Sequence, residues 1–207
     1  MKKNLRWQFA AKRILDIIFS FVALIILSPL FLLIAIVIKL SSTGPVIFRQ
    51  NRIGLRGRKF VFLKFRTMIT EQQEMFLANN LEILMQQGIL FKITNDPRIT
   101  WVGKILRKTS LDELPQLINI FNGSMSLVGP RPLLPFMLEP FPEFNKKRCS
   151  MRPGLTGLWQ VRDRANNTKA EHMMKHDLEY IDSYSLLLDI KIIISTIPKV
   201  IIGTGAL

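Results

Sequence analysis

The longest apolar stretch of the chain lies near its N-terminus, where 22 consecutive residues from Ile17 to Ile38 carry no formal charge. As a helix this stretch would reach roughly 33 Å, which matches a membrane hydrocarbon core of about 30 Å. Ser28 and Pro29 lie at its centre. Pro29 has no N–H for the carbonyl of Ile25 and predicts a kink or break. The hydroxyl of Ser28 can donate to a carbonyl three or four residues earlier, which makes the break tolerable in lipid.

Basic residues flank this stretch on both sides. A single span would place one basic flank on the wrong side of a membrane. The pattern therefore favours a re-entrant hairpin over residues 1–40, which enters and leaves by one face, with a single kinked span as the alternative. The flanking cations are Lys2, Lys3, Arg6, Lys12 and Arg13 before the stretch, and Lys39, Arg49, Arg52, Arg56, Arg58, Lys59, Lys64 and Arg66 after it, with no acid between Lys39 and Met68.

Lys12 and Arg13 lie immediately before the apolar stretch. We expect them to anchor it at the interface, with their charged ends at lipid phosphates and their stems in the acyl boundary. Asp16 follows three and four residues later and could pair with either cation on one helix face.

Residues 41–207 predict one further domain of class α+β, mostly α, with a short β-hairpin and several helices, some of them interfacial. Residues 46–52 and 60–66 have the composition of strands around a turn at residues 54–57. Lys64 and Arg66 share one face of the second strand, so they either point at one anion or protect an edge strand from aggregation.

The other elements show weaker patterns. Thr70–Gly88 predicts a partly exposed helix, Asp96 predicts a turn residue, and residues 101–107 predict a short helix or strand. Leu186–Ile202 is apolar and predicts an interfacial or core helix that is broken at Pro198.

The net charge of +14 and the sequence pI near 10.3 demand an anionic partner. Nucleic acid, lipid headgroups and phosphorylated small molecules all qualify, and the apolar stretch favours the last two. Nucleic acid is not a predicted partner, because no zinc-finger spacing, helix-turn-helix pattern or aromatic RNA-binding motif occurs. The one cysteine, Cys149, forms no intrachain disulfide, which suits a reducing compartment.

Candidate chemistry concentrates in residues 107–117, RKTSLDELPQL. If Asp112 is the N-cap of a helix, Pro115 takes the third helical position, where a missing N–H costs nothing. Asp112 and Glu113 would then lie at the positive helix end, which keeps carboxylates ionised and attracts phosphate. A well-capped helix without chemistry explains the pattern equally well.

A second candidate is the loop at residues 122–132, NGSMSLVGPRP. Pro130 and Pro132 stiffen it and hold Arg131 in a frame that suits bidentate phosphate binding. Trp159, in a later turn-rich loop, could stack on a uracil ring, lie in the membrane interface or pack in the core.

Five motifs in order give the chain a resemblance to the bacterial sugar transferase family, the monotopic polyprenyl-phosphate phosphoglycosyl transferases. They are KFRTM (64–68), DPR (96–98), SLDELPQL (110–117), SLVGPRP (126–132) and RPGLTGLWQ (152–160). The resemblance covers essentially the whole chain, which looks like the catalytic unit without the extra N-terminal membrane domain of larger members.

The resemblance implies transfer of a sugar phosphate from a UDP-sugar to undecaprenyl phosphate, with release of UMP, as the first step of a surface polysaccharide or glycoconjugate. By analogy Asp112 is the nucleophile that forms a covalent phosphosugar intermediate, and Glu113 binds Mg²⁺. Lys64, Arg107 and Arg131 match basic positions that bind phosphate. The family's Ser-Pro break dips into one leaflet, so the expected location is the cytoplasmic face of the bacterial inner membrane, in contact with its lipids.

Two positions depart from the family pattern: Ser124, where many relatives have an acid, and Arg162-Asp163-Arg164, where many have Gly-Arg. The closing motifs weakly favour glucose or galactose phosphate over amino sugars. A non-catalytic scaffold of a polysaccharide assembly complex remains the main alternative, and a membrane-tethered nucleic-acid binder is a second. Whether the chain forms a homo-oligomer is open.

Overall fold

The computed structural model describes residues 3–69, 96–162 and 170–202. The helices are α1 (Lys3–Ile26), α2 (Ser28–Ser41), α3 (Trp101–Lys108), α4 (Gln116–Phe121), α5 (Pro135–Leu138), α6 (Pro142–Arg148), α7 (Leu158–Arg162), α8 (Ala170–Asp182) and α9 (Leu186–Ile202). The strands are β1 (Ile47–Ile53), β2 (Lys59–Phe65), β3 (Ser126–Val128) and β4 (Gly154–Thr156). The predicted α+β class with a majority of helix is confirmed. The helix predicted at Thr70–Gly88 lies outside the described residues.

The predicted break between α1 and α2 is confirmed. The two helices meet at Leu27 with a bend of 62°. The hydroxyl of Ser28 donates to the carbonyl of Ile25 at 2.8 Å, as the sequence predicted, and Pro29 lies in the first turn of α2, where its missing N–H is tolerated. Among the described residues no single helix has the length and hydropathy of a membrane span, whereas the bent pair of α1 and α2 meets both conditions together.

Lys12 and Arg13 bind protein groups rather than facing outward. The Nζ atom of buried Lys12 lies 2.6 Å from Oδ2 of Asp189 on α9. Arg13 donates to the last carbonyls of α4, from Nη1 to Ile120 at 2.6 Å and from Nη2 to Phe121 at 2.7 Å. The structure thus uses these two cations to attach α1 to the rest of the fold, which differs from the predicted contact with lipid phosphates.

The predicted pairing of Asp16 with Lys12 or Arg13 is wrong. Oδ1 of Asp16 accepts a hydrogen bond from the N–H of Leu127 in β3 at 2.9 Å. A buried strand N–H needs an acceptor, and the carboxylate provides it while the two cations bind partners on other elements.

The predicted hairpin is confirmed, with β1 and β2 antiparallel and Ile47 opposite Phe65. Its connection contains a 3₁₀ turn, Leu55–Gly57, in which Arg56 and Gly57 have positive φ values of 57° and 72°. Glycine adopts such angles without strain.

Lys64 and Arg66 do not point at one anion, so that alternative is wrong. The Nη2 atom of Arg66 donates to the carbonyl of Ser42 at 2.7 Å and lies 3.4 Å from that of Ile38, which binds it to the end of α2. Lys64 instead reaches the turn that follows α3. The strand ends at Phe65, so Arg66 no longer follows its alternation.

The alternative of a helix for residues 101–107 is the correct one. Thr100 caps α3, its hydroxyl accepting from the N–H of Gly103 at 2.9 Å. Gly103 also lies against the backbone of Thr67, where an added Cβ would be 2.1 Å from the carbonyl oxygen. This contact seats the helix on the end of the hairpin.

The glycine- and proline-rich loops contain a short parallel pair, β3 and β4, which the sequence did not predict. Gly129 and Gly154 permit it, because a Cβ on Gly154 would lie 2.1 Å from the nitrogen of Gly129. The helix α9 packs beside these strands and α7, and continues through Pro198, so the predicted break there is wrong. One proline removes a single helical hydrogen bond, and the flanking turns persist.

Candidate active site

Asp112 and Glu113 lie together in a 3₁₀ turn, Leu111–Glu113, between α3 and α4. Ser110 precedes the turn in the left-handed conformation, with φ of 57°. The helix α4 begins only at Gln116. The prediction that Asp112 is the N-cap of this helix is therefore wrong, because the left-handed residue ends α3 and a separate tight turn comes before α4.

Lys64 on β2 binds both carboxylates. Its Nζ atom lies 2.9 Å from Oε1 of Glu113 and 3.3 Å from Oδ2 of Asp112. The side chains of Asp112 and Glu113 are only 8% and 12% exposed. Two adjacent buried carboxylates repel each other, so the shared ammonium supplies the charge that lets them lie together.

Burial raises the pKa of Asp112, while Lys64 lowers it, neighbouring Glu113 raises it and Arg107 lowers it. Arg107 lies in the last turn of α3, and its Nε donates to the hydroxyl of Thr67 at 3.0 Å. Burial lowers the pKa of Arg107, against the raising effect of Asp112. The structure thus brings four predicted site residues, Lys64, Arg107, Asp112 and Glu113, into one electrostatic neighbourhood.

Asp96 confirms its predicted role as a turn residue. Its Oδ1 accepts from the backbone N–H of Arg98 at 3.0 Å and from Nε of the same residue at 2.8 Å. The Asx turn closes on itself and places the pair beside Arg107, whose pKa both residues influence.

The loop that carries Arg131 is held by buried charges. The backbone N–H of Arg131 bonds to the carboxylate of Asp177 on α8, which also accepts from Nε of Arg148 at 3.2 Å. Arg52 donates from Nη1 to the carbonyl of Pro132 at 3.1 Å. These contacts confirm a fixed frame around Arg131, and its guanidinium carbon lies 5.9 Å above the ring of Trp159.

Arg52 connects Arg131 to the acidic pair and was missed from the sequence. Burial lowers its pKa, Arg131 and Arg148 lower it further, and Glu113 opposes them. The hairpin pattern did contain a signal for Arg52. It lies opposite Phe60 in the hairpin, and Phe60 and Lys64 are four residues apart on one strand, so Arg52 and Lys64 share a face of the sheet.

A bound Mg²⁺ would need oxygen donors from the protein. Within the described ranges no group of three His, Cys, Asp or Glu side chains converges. Mg²⁺ needs fewer, because it commonly takes one or two carboxylates and completes its shell with water and substrate phosphate. Asp112 and Glu113 fit that donor set, and the ammonium of Lys64 already shows that a cation is accommodated there.

Three positions left open by the sequence have structural partners. Trp159 is 4% exposed and packs in the core with Ile53 and Leu133, so the core alternative is correct. The hydroxyl of Ser124 donates to the carbonyl of Asn119 at 3.0 Å. The Nη1 atom of Arg162 donates to both carboxylate oxygens of Glu179, at 2.6 and 2.8 Å, while residues 163 and 164 lie outside the described part of the chain.

Residues 7–203 match the family described as bacterial sugar transferase. Galactosyl transferase CpsE of Streptococcus agalactiae is 43% identical over 197 residues, which cover 95% of this chain and 43% of that protein. Exopolysaccharide production protein ExoY of Rhizobium meliloti is 43% identical over 199 residues, covering 95% of this chain and 88% of that protein.

A third relative carries a full reaction name. The UDP-glucose:undecaprenyl-phosphate glucose-1-phosphate transferase of Caulobacter vibrioides is 41% identical over 203 residues, covering 94% of this chain and 71% of that protein. The chain thus spans less than half of one relative and most of the other two.

Proposed function

Because the chain belongs to the bacterial sugar transferase family, we propose that it transfers a hexose 1-phosphate from a UDP-sugar to undecaprenyl phosphate and releases UMP. Relatives similar over almost the whole chain are named for transfer of glucose 1-phosphate or galactose phosphate to undecaprenyl phosphate. A relative named for transfer of N-acetylgalactosamine phosphate is 39% identical over 202 residues. The observation that carries the proposal is the buried Asp112–Glu113 pair under Lys64.

In the first step, a carboxylate oxygen of Asp112 attacks the phosphorus that bears the sugar. A P–O bond forms to Asp112, the bond to the bridging oxygen breaks, and UMP departs with that oxygen. Attack by one anion on another is slow unless positive charge offsets it. Lys64, which contacts Asp112, and Arg107, whose charge lowers the pKa of Asp112, would provide that positive charge for the sugar phosphate.

In the second step, a phosphate oxygen of the lipid acceptor attacks the same phosphorus and expels the Asp112 carboxylate. The product is a polyprenyl diphosphate sugar, and the carboxylate is regenerated. The backbone N–H of Arg131 bonds to Asp177, and Arg52 donates to the carbonyl of the next residue, Pro132. We assign Arg131, held in this loop, to the diphosphate of the donor.

Glu113, with Asp112, would hold Mg²⁺, which when bound supplies positive charge against the phosphate oxygens. The residues of the chain must then hold the donor beside it. Among the described residues, the ammonium of Lys64 is the one cation that contacts both acids. With the metal's charge on the carboxylates, Lys64 would shift from them toward the donor phosphate.

We also propose that α1 and α2 form a re-entrant element at the cytoplasmic face of the inner membrane. Two attachments support it. The N-terminal half of α1 is bound to the globular part through Lys12 and Arg13, and the end of α2 through Arg66 and the buried side chain of Ile38. Residues on both sides of the break thus contact the globular part, which supports a re-entrant element over a single span.

The exposed apolar side chains indicate which surface would face the lipid. Large apolar side chains remain exposed on α1, α2, α3 and α9, and exposed apolar patches are typical of surfaces that contact a membrane or another protein. They include Phe21, Ile25, Leu33, Trp101 and Ile194. A shallow position would bring a soluble donor to a phosphate that stays at the headgroup layer.

The proposal is tested by measuring UMP release from a panel of UDP-sugars, with undecaprenyl phosphate and Mg²⁺ in nanodiscs. Asp112→Asn should abolish release, because an amide does not form an acyl phosphate. Asp182→Asn is the matched control, since Asp182 is 59% exposed and pairs with the exposed Lys147, and it should keep wild-type activity. Turnover by Asp112→Asn would refute the nucleophile, and inactivity of the wild type toward every sugar would favour a scaffold.

A further inference from the structure

A cavity of about 380 Å³ adjoins the acidic pair, and apart from Glu113 the residues that line it have no part in the chemistry assigned above. Small-molecule sites commonly measure about 300–1,000 Å³. Its walls come from α1, β4, α7 and α9, and Ser110 and Glu113 lie in its lining. Any molecule that fills it is therefore beside Glu113 and one residue from Asp112.

Most of the lining is hydrocarbon. Phe19 contributes from α1, Leu155 from β4, and Ile193, Ile197 and Val200 from α9. Apolar walls favour an apolar occupant, whereas the hydroxyls of a hexose would lose their hydrogen bonds to water without replacement. The lining thus fits a hydrocarbon chain better than the sugar of the donor.

Two polar side chains in the lining lack partners. The amide nitrogen and oxygen of Gln160 are both buried and form no hydrogen bond with the described part of the chain. Lys199 forms no ion pair within residues 3–69, 96–162 and 170–202. By contrast, the hydroxyls of Thr156 and Thr196 bond to each other at 2.8 Å. Buried polar groups normally have partners, and the half-buried Lys199 adds a positive charge to the same lining. A negatively charged group that accepts from the amide nitrogen of Gln160, attached to hydrocarbon, would therefore complete this cavity.

We propose that the cavity binds the phosphate-proximal isoprene units of the polyprenyl phosphate acceptor, with Lys199 and the amide of Gln160 holding its phosphate. This inference rests on the proposed function, since of the two substrates in that reaction only the acceptor joins a phosphate to a hydrocarbon chain. Because Glu113 lies in the same lining, the bound phosphate would share the cavity with the neighbour of Asp112, the residue that carries the sugar phosphate.

The test uses two matched pairs on α9. Ile197 lines the cavity and Ile194 does not, yet they are similarly exposed, at 54% and 61%. Ile197→Trp should raise the KM for undecaprenyl phosphate about tenfold, equivalent to about 1.4 kcal/mol, and leave the KM for the UDP-sugar unchanged. Ile194→Trp should change neither.

The second pair of variants replaces lysines of α9. Lys199 lines the cavity, and Lys191 does not. Lys199→Met should raise the acceptor KM about tenfold, while Lys191→Met should not. If the two variants of either pair changed the acceptor KM equally, α9 would only contact lipid, and the proposal would be overturned. A change confined to the donor KM would assign the cavity to the donor instead.

A second measurement needs no variant. A prenyl phosphate with a photoreactive group in its first isoprene unit should label peptides containing Leu155 or Ile197 of the wild type, and excess undecaprenyl phosphate should abolish that labelling. Labelling that the excess leaves unchanged would overturn the proposal. A wild type that transfers sugar phosphate normally while failing these tests would leave the proposed function intact. A wild type without transfer would refute the proposed function and this inference with it.

Discussion

The Nζ atom of Lys12 lies 2.6 Å from Oδ2 of Asp189, which joins the first helix of the chain to the last described one. Both side chains are buried, at 10% and 8% exposure. The other oxygen of Asp189 accepts from the hydroxyl of Tyr180 at 2.7 Å. This pair holds α1, α8 and α9 together on the side of the molecule that carries the cavity.

We expect Lys12→Ala to destabilise the protein by about 3–5 kcal/mol, because it leaves a buried carboxylate without its cation. The measurement is the midpoint of chemical denaturation in detergent micelles. Lys147→Ala is the control, since the Lys147–Asp182 pair is 46% and 59% exposed, and it should cost less than about 1 kcal/mol. If both variants lowered the free energy of unfolding by similar amounts, the buried pair would contribute no more to stability than the exposed pair.

Arg52 should matter for donor binding although it is not a predicted site residue. Its contact with the Pro132 carbonyl supports the loop of Arg131. Arg52→Met should raise the KM for the UDP-sugar about tenfold or more, the usual consequence of losing a hydrogen bond from a charged group. Arg49 lies on the same strand but is exposed and faces the other side, so Arg49→Met should leave that KM unchanged. An unchanged KM for the UDP-sugar in Arg52→Met would show that Arg52 does not contribute to donor binding.

The pH dependence of stability should reveal the buried carboxylate of Asp177. Burial raises its pKa from 3.8 to about 6, against the lowering effects of Arg148 and the N–H of Arg131. A raised pKa in the folded state means that the folded protein binds the extra proton. Stability from this group is therefore present below about pH 4 and lost as the pH rises through about 6, by about 3 kcal/mol.

Denaturation of wild type and Asp177→Asn should be compared from about pH 4.5 to about pH 7.5. We expect the wild type to lose stability relative to the Asn variant across this range. A relative gain with rising pH would mean that the ion pair with Arg148 outweighs burial.

The re-entrant arrangement predicts that both ends of the bent pair face the same side. Trp7 is 58% exposed near the start of α1, and Thr43 is exposed after α2. Cysteines introduced separately at these positions should react with a membrane-impermeant maleimide in inverted vesicles and remain unlabelled in intact cells. Native Cys149 is buried and serves as the unreactive background. Labelling of the two positions from opposite sides would establish a single span.

Local patterns predicted the elements whose cause is local. Ser28 and Pro29 predicted the break because the lost hydrogen bond involves residues within one turn. Alternation predicted the hairpin, and Asp96 predicted a turn that its own side chain closes. The motifs that resemble the family located Lys64, Arg107, Asp112 and Glu113, which the structure brings together.

The wrong predictions concern residues whose contacts depend on partners far away in the sequence. Lys12 and Arg13 were assigned to lipid because Asp189 and the end of α4 are more than 100 residues away. The parallel pairing of β3 with β4 depends on the close approach of Gly129 to Gly154, which no periodicity reveals. Asp112 was placed at a helix end because nothing in the sequence showed that Ser110 would turn left-handed.

The central claim is that Asp112 becomes covalently attached to the sugar phosphate. The direct measurement is to incubate the protein with Mg²⁺ and a UDP-sugar labelled in the sugar-linked phosphate, without acceptor, and to digest it for mass spectrometry. We expect the label on the peptide that contains Asp112, its absence from Asp112→Asn, and its loss on adding undecaprenyl phosphate. A wild-type protein that makes lipid product while Asp112 stays unlabelled, or a label on another residue, would contradict the account.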